Sequence, residues 1–178
     1  TSSLAVAYQI SPNPNYGEIH LSSSSEVYEN YLTPFENFGS IHIYESFLDN
    51  HGDFQNYGEL VLHDWQDGYV LGQEFNNIGS LSNAGHVYVG DRAVISGEVS
   101  GIINNSGSIE VSDDAMILFS SFNNSGYVQN FGSSGSVGYY GATLINSGTI
   151  DNDHGQIAVE VFTNSGIFTN DQYSSVRD

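Results

Sequence analysis

The chain has 178 residues, no cysteine, no lysine and two arginines, and its 21 carboxylates give a formal net charge of −19 at pH 7. This charge excludes nucleic acids and anionic membranes as partners, because both are bound through basic patches, and the lack of cysteine excludes disulfides and thiolate metal sites. The apolar fraction of 39% suffices for the core of one domain, and no apolar run reaches the length of about 18 residues that a membrane-spanning helix needs.

The first predicted element is an N-terminal cap over residues 1–14. The apolar run at 4–10 alternates too little for a half-exposed strand, and Pro12 and Pro14 follow it as breakers. Repeating coils are then predicted over residues 15–170. Residues 171–178 are predicted to form a tail, after which a further C-terminal region can follow, and the whole chain 1–178 is assigned to one domain.

A seven-residue pattern recurs along the chain: apolar, any, Asn, any, Gly, any, apolar, as in LINSGTI at residues 144–150. Asn-x-Gly occurs eleven times, and in ten cases an apolar residue precedes the Asn by two positions. Residues two apart share one face of an extended chain, so these Asn side chains are predicted to point inward. Buried amides need partners, and the expected partners are backbone groups at a corner and the equivalent amide of the next coil.

Glycine in this pattern is predicted to supply a corner conformation that residues with a Cβ avoid. Successive corners lie 18 to 27 residues apart, which is a solenoid period and about half that of a propeller blade. No helical stripe of apolar residues is visible, so helical repeats are disfavoured. The sequence therefore predicts an all-β parallel β-helix of about seven coils, with two or three strands in each. The predicted corner residues are Asn37, Gly39, Asn56, Gly58, Asn83, Gly85, Asn105, Gly107, Asn124, Gly126, Asn146, Gly148, Asn164 and Gly166.

The residue between the Asn and the Gly changes along the chain. It is aromatic in the early corners, at Tyr16, Phe38 and Tyr57, and a serine in most later ones, with Phe131 as an exception. If this position points outward, the early coils carry an aromatic column on one edge. Stacking between coils and binding of sugar rings both account for such a column, and Trp65 is a further candidate for carbohydrate contact.

Polar turns after the strands carry carboxylates at equivalent places in several units, among them Glu45, Asp64, Asp67 and Asp91. Asp113, Asp114, Asp151 and Asp153 are the candidate ligands for a divalent cation such as calcium, which prefers oxygen donors. A solvated acidic ridge that keeps a β-rich surface soluble is the favoured alternative. The histidines do not form a zinc-binding pattern, no cofactor is predicted, and His20 and His42 are expected to point outward and stack coil on coil.

An enzyme is the less favoured interpretation. Many polysaccharide lyases and hydrolases are parallel β-helices, and carboxylate pairs such as Asp113 with Asp114 could act as acid and base. A lyase, however, needs basic side chains near its acidic substrate, and Arg92 and Arg177 lie far apart in the sequence. No catalytic residues are predicted.

Several motifs together carry a resemblance to a known family. These are the Asn-Ser-Gly-x-Ile units, FENFG at 35–39, FNNSG at 122–126 and VGD at 89–91. Over nearly its whole length the chain resembles the N-terminal domain of hyphally regulated fungal cell-wall proteins. The resemblance implies a right-handed β-helix that is secreted, anchored in the wall and used for adhesion, without catalysis.

The chain departs from that family by being short and free of cysteine, without the disulfide-bearing segment and the small C-terminal sandwich. Bacterial filamentous-haemagglutinin and autotransporter passengers use similar coils and remain an alternative, as does a carbohydrate-binding or carbohydrate-degrading β-helix. Sequons at Asn104 and Asn123 predict glycosylation and agree with an extracellular location.

The predicted function is thus a non-enzymatic cell-surface or cell-wall domain in adhesion or wall structure. Its expected partner is a host surface, an abiotic surface or a cell-wall carbohydrate. The apolar last coil at 162–168 also predicts end-to-end self-association, because an uncovered strand edge can pair with another chain.

Overall fold

The computed structural model describes residues 6–9, 13–22, 26–30, 34–44, 46–63, 74–90, 92–97, 101–112, 114–131, 136–138, 142–171 and 175–177. None of these residues belongs to a helix long and apolar enough to cross a membrane. Trp65 and Asp113 lie outside the described residues, as do Glu45, Asp64, Asp67 and Asp91 of the predicted acidic turns.

The described strands form three sheets, called A, B and C here, in which all strand pairs are parallel. Sheet A contains Val6–Gln9, Glu26–Asn30, Phe47–Asn50, Glu74–Asn77, Val94–Ser96, Met116–Ile117, Ser136–Val137, Gln156–Ala158 and Ser175–Arg177. Sheet B contains Phe35–Asn37, Asp53–Asn56, Ser80–Asn83, Ile102–Asn105, Ser121–Asn124, Thr143–Asn146 and Val161–Asn164. Sheet C contains Glu18–Ser22, Ser40–Tyr44, Glu59–Leu62, His86–Val89, Ser108–Val111, Tyr127–Phe131, Thr149–Asp153 and Ile167–Asn170.

One coil passes through each sheet once. Ser80–Asn83 lies in sheet B, His86–Val89 in sheet C and Val94–Ser96 in sheet A, and Ile102–Asn105 then starts the next coil beside Ser80–Asn83. The chain therefore winds into a three-sided β-solenoid of about six turns. The predicted all-β parallel solenoid is confirmed, with three strands per coil and slightly fewer turns than expected.

Alternation along each strand places one set of side chains in the interior. In sheet B the strands Asp53–Asn56 and Ser80–Asn83 each bury their second and fourth residues, as period-two geometry requires. The interior therefore consists of an apolar column along each sheet and Asn side chains at the strand ends. The sheet B column is Phe35, Phe54, Leu81, Ile103, Phe122 and Leu144, all fully buried.

The corner glycines are needed for a reason other than the predicted one. Gly138, outside the predicted corners, is the one described glycine with a positive φ, at 107°. At the corners the constraint is instead contact between coils: a Cβ on Gly58 would overlap with the carbonyl oxygen of Gly39, and a Cβ on Gly126 with that of Gly107. The prediction of a special corner conformation was wrong, because none of the predicted corner glycines has a positive φ. A side chain is excluded at these positions by the close stacking of the coils.

Parts of the predicted cap and tail belong to the solenoid. Val6–Gln9 pairs with Glu26–Asn30 as the first strand of sheet A. Ser175–Arg177 pairs with Gln156–Ala158 as the last strand of the same sheet. Both segments therefore extend the regular structure beyond the predicted coil boundaries.

Candidate functional site

The corner between sheets B and C, called the B–C corner, is built around a continuous ladder of buried amides. Each Asn donates from Nδ2 to Oδ1 of the Asn one coil later, at 2.7–2.8 Å; for example, Asn83 donates to Asn105 and Asn105 to Asn124. Nδ2 also donates to a backbone carbonyl of the next coil, as from Asn105 to Tyr127. The predicted inward Asn ladder is therefore seen here. Its members are Asn15, Asn37, Asn56, Asn83, Asn105, Asn124, Asn146 and Asn164.

Shorter ladders occupy the other two corners. Asn30, Asn50 and Asn77 are the last residues of three strands of sheet A, and Asn30 donates to Asn50 at 2.7 Å. Asn130, Asn152 and Asn170 end strands of sheet C and are joined at 2.8 Å. Three of these six, Asn30, Asn152 and Asn170, lack a glycine two positions later and were missed by the sequence pattern. Their distance of 18 to 22 residues from a neighbouring ladder Asn is the signal that identifies them.

Three aromatic rings stack on the outside of the B–C corner. Tyr16, Phe38 and Tyr57 are 73%, 43% and 47% exposed. The ring centroids of Tyr16 and Phe38 lie 5.2 Å apart with an interplanar angle of 10°, and those of Phe38 and Tyr57 lie 4.8 Å apart at 9°. The predicted outward aromatic column is confirmed. Phe131 departs from the trend because it lies beside Asn130 at the corner between sheets C and A.

In the coils that follow Tyr57 along the chain, small side chains replace the aromatic rings of this column. Ala84 takes the next position and is exposed, and four serines continue the column. Each serine donates its hydroxyl to the backbone carbonyl of an Asn in the preceding coil, at 3.2 Å from Ser106, Ser125 and Ser147 and at 3.4 Å from Ser165. The serine oxygens keep lone pairs that can accept hydrogen bonds from outside.

The step from Tyr57 to Ala84 opens a surface groove of about 420 Å³, called the corner groove. One wall is the small-residue column of the B–C corner. The other is the outward column of sheet B, in which Ser82, Asn104, Asn123 and Ile145 are in register. None of the residues that line the corner groove is charged. The sequence prediction found Tyr57, Asn104 and Asn123 but missed Ser82 and Ile145, which become visible only when the register of the coils is known.

Tyr57 closes one end of the corner groove. Its hydroxyl donates to Oε1 of Gln55 at 2.9 Å, and Gln55 is in register with Ser82 in the outward column of sheet B. The Tyr57 ring therefore leans across from one wall to the other. One of its faces is covered by Phe38, while beyond it the column continues with only the methyl group of Ala84.

The two predicted glycosylation residues lie on the wall of this groove. Asn104 and Asn123 are exposed on the outer face of sheet B, and Nδ2 of Asn123 donates to Oδ1 of Asn104 at 3.0 Å. A glycan on either residue would occupy the groove. Their modification stays a prediction.

A separate cluster of rings lies on the outer face of the first three strands of sheet C. His20 and His42 stack at 5.1 Å, as predicted, and Glu18 contacts Nε2 of His20 at 2.8 Å. Nδ1 of His42 lies 2.9 Å from Nε2 of His63, so one of these nitrogens donates and the other accepts. Tyr44 stacks on His63 at 3.9 Å. These contacts are accounted for by packing within the sheet face.

Asp113 lies outside the described residues, and the other three candidate metal ligands do not form one group. Asp114 is exposed in a turn, whereas Asp151 accepts a hydrogen bond of 2.9 Å from Oγ1 of Thr169. Asp153 lies near His154 and Asp171, with ligand atoms within 4.8 Å of one another. Oδ1 of Asp153 is hydrogen-bonded to Nδ1 of His154 at 2.6 Å. A second such trio is Glu29, Asp49 and His51. Calcium binding and the acidic ridge both stay predictions.

Comparison with protein-family models, with characterised proteins and with solved structures gives no match. The functional inference therefore rests on the fold and on the geometry of the B–C corner.

Proposed function

We propose that this chain is a non-enzymatic extracellular domain that acts in adhesion or wall structure, with the B–C corner as its contact surface. The observation that carries the proposal is the exposed stack of Tyr16, Phe38 and Tyr57 at the corner of a regular solenoid. Contiguous exposed apolar surface on a soluble protein marks sites of interaction. Because the stacking already orders the rings, little side-chain entropy is lost when they meet a partner.

Two further observations support the proposal. The corner groove beside the stack has no carboxylate, imidazole or amine among its lining residues, and these are the groups that acid–base catalysis most often uses. The resemblance to hyphally regulated fungal cell-wall proteins points the same way. Host surface, abiotic surface and cell-wall carbohydrate are the partner classes proposed.

The test measures adhesion of beads coated with the 178-residue chain to three surfaces: insoluble cell-wall glucan, polystyrene and cultured epithelial cells. We expect retention above that of albumin-coated beads on at least one surface. The double variant Phe38→Ala/Tyr57→Ala should reduce it. The matched control is Ile78→Ala, which removes a side chain of similar exposure, 43%, from the middle position of an Asn-x-Gly corner between sheets A and B. Retention no greater than that of albumin on all three surfaces would refute the adhesive function.

End-to-end association of copies is a second candidate function, favoured by the last described coil. Val161 and Ile167 are 47% and 62% exposed, and their strands are the terminal strands of sheets B and C. Asn164, which ends the long amide ladder, is exposed, whereas the earlier members are buried.

Light scattering at increasing protein concentration tests this association. We expect the mean mass to rise with concentration and Ile167→Lys to abolish the rise, because a lysine on an edge strand opposes pairing of that edge with another chain. Ile145→Lys, at a 43% exposed position on the side of the solenoid, is the control. A constant monomer mass at high concentration would refute the association.

A further inference from the structure

The aromatic stack and the corner groove form one continuous surface with a change of chemistry at Tyr57. On one side of this ring lies Phe38, at a centroid distance of 4.8 Å. On the other side the corner column continues with Ala84 and then with serines. The solenoid thus places a fixed aromatic ring at the end of a groove lined by hydroxyl and amide groups.

The groups in the corner groove suit a ligand that both donates and accepts hydrogen bonds. The hydroxyls of Ser106 and Ser125 are oriented by their bonds to backbone carbonyls at 3.2 Å. The exposed amides of Asn104 and Asn123 offer donors and acceptors on the opposite wall. These groups recur at the coil spacing, about 4.8 Å between parallel strands. An extended polymer that follows the axis would therefore meet similar groups at each coil.

The uncharged lining of the groove and the negative net charge of the chain together favour a neutral ligand. None of the lining residues is ionisable apart from the phenol of Tyr57, so no side chain there can pair with a charged group at neutral pH. The net charge of −19 repels polyanions. A cationic polymer would be attracted to the surface as a whole but would find no carboxylate among the residues that line the groove.

We propose that the corner groove binds a neutral oligosaccharide, with one pyranose ring packed against the face of Tyr57 that Phe38 does not cover. The apolar face of the sugar replaces water on the aromatic ring, and its hydroxyls bond to the Ser and Asn side chains on the two walls. Ile145 supplies apolar contact at the far end of the groove. This inference rests on the proposed adhesive function and names the chemistry of its ligand.

The test uses protein produced in a host that does not glycosylate, because a glycan on Asn104 or Asn123 would fill the groove. Calorimetric titration is carried out with neutral gluco-, manno- and chito-oligosaccharides and with anionic oligogalacturonate. We expect binding of at least one neutral series and none of the oligogalacturonate. Affinity should rise with chain length until the groove is filled.

Two variants and one control locate the site. Tyr57→Ala should weaken binding about tenfold, the lower range for loss of a stacking partner at the surface. Ala84→Tyr should abolish binding while keeping the fold, because the added ring continues the stack and takes the place of the sugar. Ile78→Ala removes a 43% exposed apolar side chain from the corner between sheets A and B, outside the stack and the groove, and should leave the affinity unchanged. Circular dichroism confirms that each variant is folded.

The outcomes separate the ligand from the wider function. No binding of any neutral oligosaccharide, or binding that Tyr57→Ala and Ala84→Tyr leave unchanged, would overturn the inference about the groove. Coated beads that still adhere to cells or polystyrene would then leave the adhesive function standing. Loss of oligosaccharide affinity in Ala84→Tyr together with unchanged affinity in Ile78→Ala would support the groove as the site, whatever the beads do.

Discussion

Nδ2 of Asn124 donates a hydrogen bond of 2.7 Å to Oδ1 of Asn146, its counterpart 22 residues later. The same Nδ2 donates to the carbonyl of Thr149 at 3.1 Å, so one amide joins its own coil to the next at two points. Both Asn side chains are at most 2% exposed. Hydrogen bonds aligned in one direction also polarise one another, so each member of the ladder strengthens its neighbours.

Removal of one amide from the ladder should be costly. Asn124→Ala leaves donors and acceptors of two neighbouring coils without partners in the interior, which we expect to lower the free energy of unfolding by about 1–3 kcal/mol. Asn123→Ala, one residue earlier on the outer face, is the matched control and should change it by less than about 0.5 kcal/mol. Urea denaturation measures both values. Equal effects of the two substitutions would contradict the structural role of the ladder.

Close approach of the coils predicts a contrast between two glycines. Gly126→Ala would drive a methyl group into the carbonyl of Gly107, so we expect a loss of about 1–3 kcal/mol or more. Gly17→Ala, in the first described corner, meets only Oδ1 of Asn15 at 4.0 Å and should be close to neutral. Thermal unfolding of the two variants provides the comparison. A tolerated alanine at position 126 would show that the coils can separate without cost.

Backbone strain in the turns between sheets C and A predicts a stabilising substitution. Asp114 has φ of 55°, a left-handed conformation that side chains with a Cβ disfavour by about 1–2 kcal/mol. Asp114→Gly should therefore raise the melting temperature, with a gain of up to about 1 kcal/mol. Asp151→Gly, inside the strand Thr149–Asp153, should lower it, because glycine weakens a strand interior. A lower melting temperature for Asp114→Gly would contradict the expected strain.

Ionisation of Tyr127 is expected to lower the stability of the fold at alkaline pH. Burial raises the pKa of this phenol, and the negative charges of Asp151 and Glu110 raise that pKa further. In the unfolded chain the group ionises near pH 10, before it does so in the folded chain. Its contribution to stability is therefore complete below that pH and is lost as the pH rises through the higher folded pKa.

We expect Tyr127→Phe to flatten the fall in melting temperature above about pH 10. In an absorbance titration of this variant at alkaline pH, the signal of the tyrosine that ionises at the higher pKa should be missing. Tyr16→Phe, at a 73% exposed ring, controls for the loss of one phenol from the absorbance. An identical alkaline fall for Tyr127→Phe and the unsubstituted chain would reject this role.

The sequence predicted the parts of the fold that repeat. An apolar residue two positions before each Asn indicates that the amide points inward, and Asn83 and Asn105 were assigned correctly on this basis. The outward stack of Phe38 and Tyr57 was also assigned correctly. The reason for the corner glycines was not predicted, because an added Cβ would clash with the backbone of the neighbouring coil, and that contact cannot be read within one repeat. The corner groove was not predicted either, since it arises where Ala84 follows Tyr57 across coils 27 residues apart.

The direction of the ladder bonds also determines how the molecule responds to force. Sheet and ladder hydrogen bonds run along the solenoid axis, whereas the covalent chain runs around it. Axial tension therefore acts on the interfaces between coils, which open one after another. A coil of 18 to 27 residues would release roughly 60 to 95 Å of extended chain when it peels away. An adhesive contact held by such a rod would thus lengthen in steps under load and dissipate energy at each step, while the remaining coils stay folded.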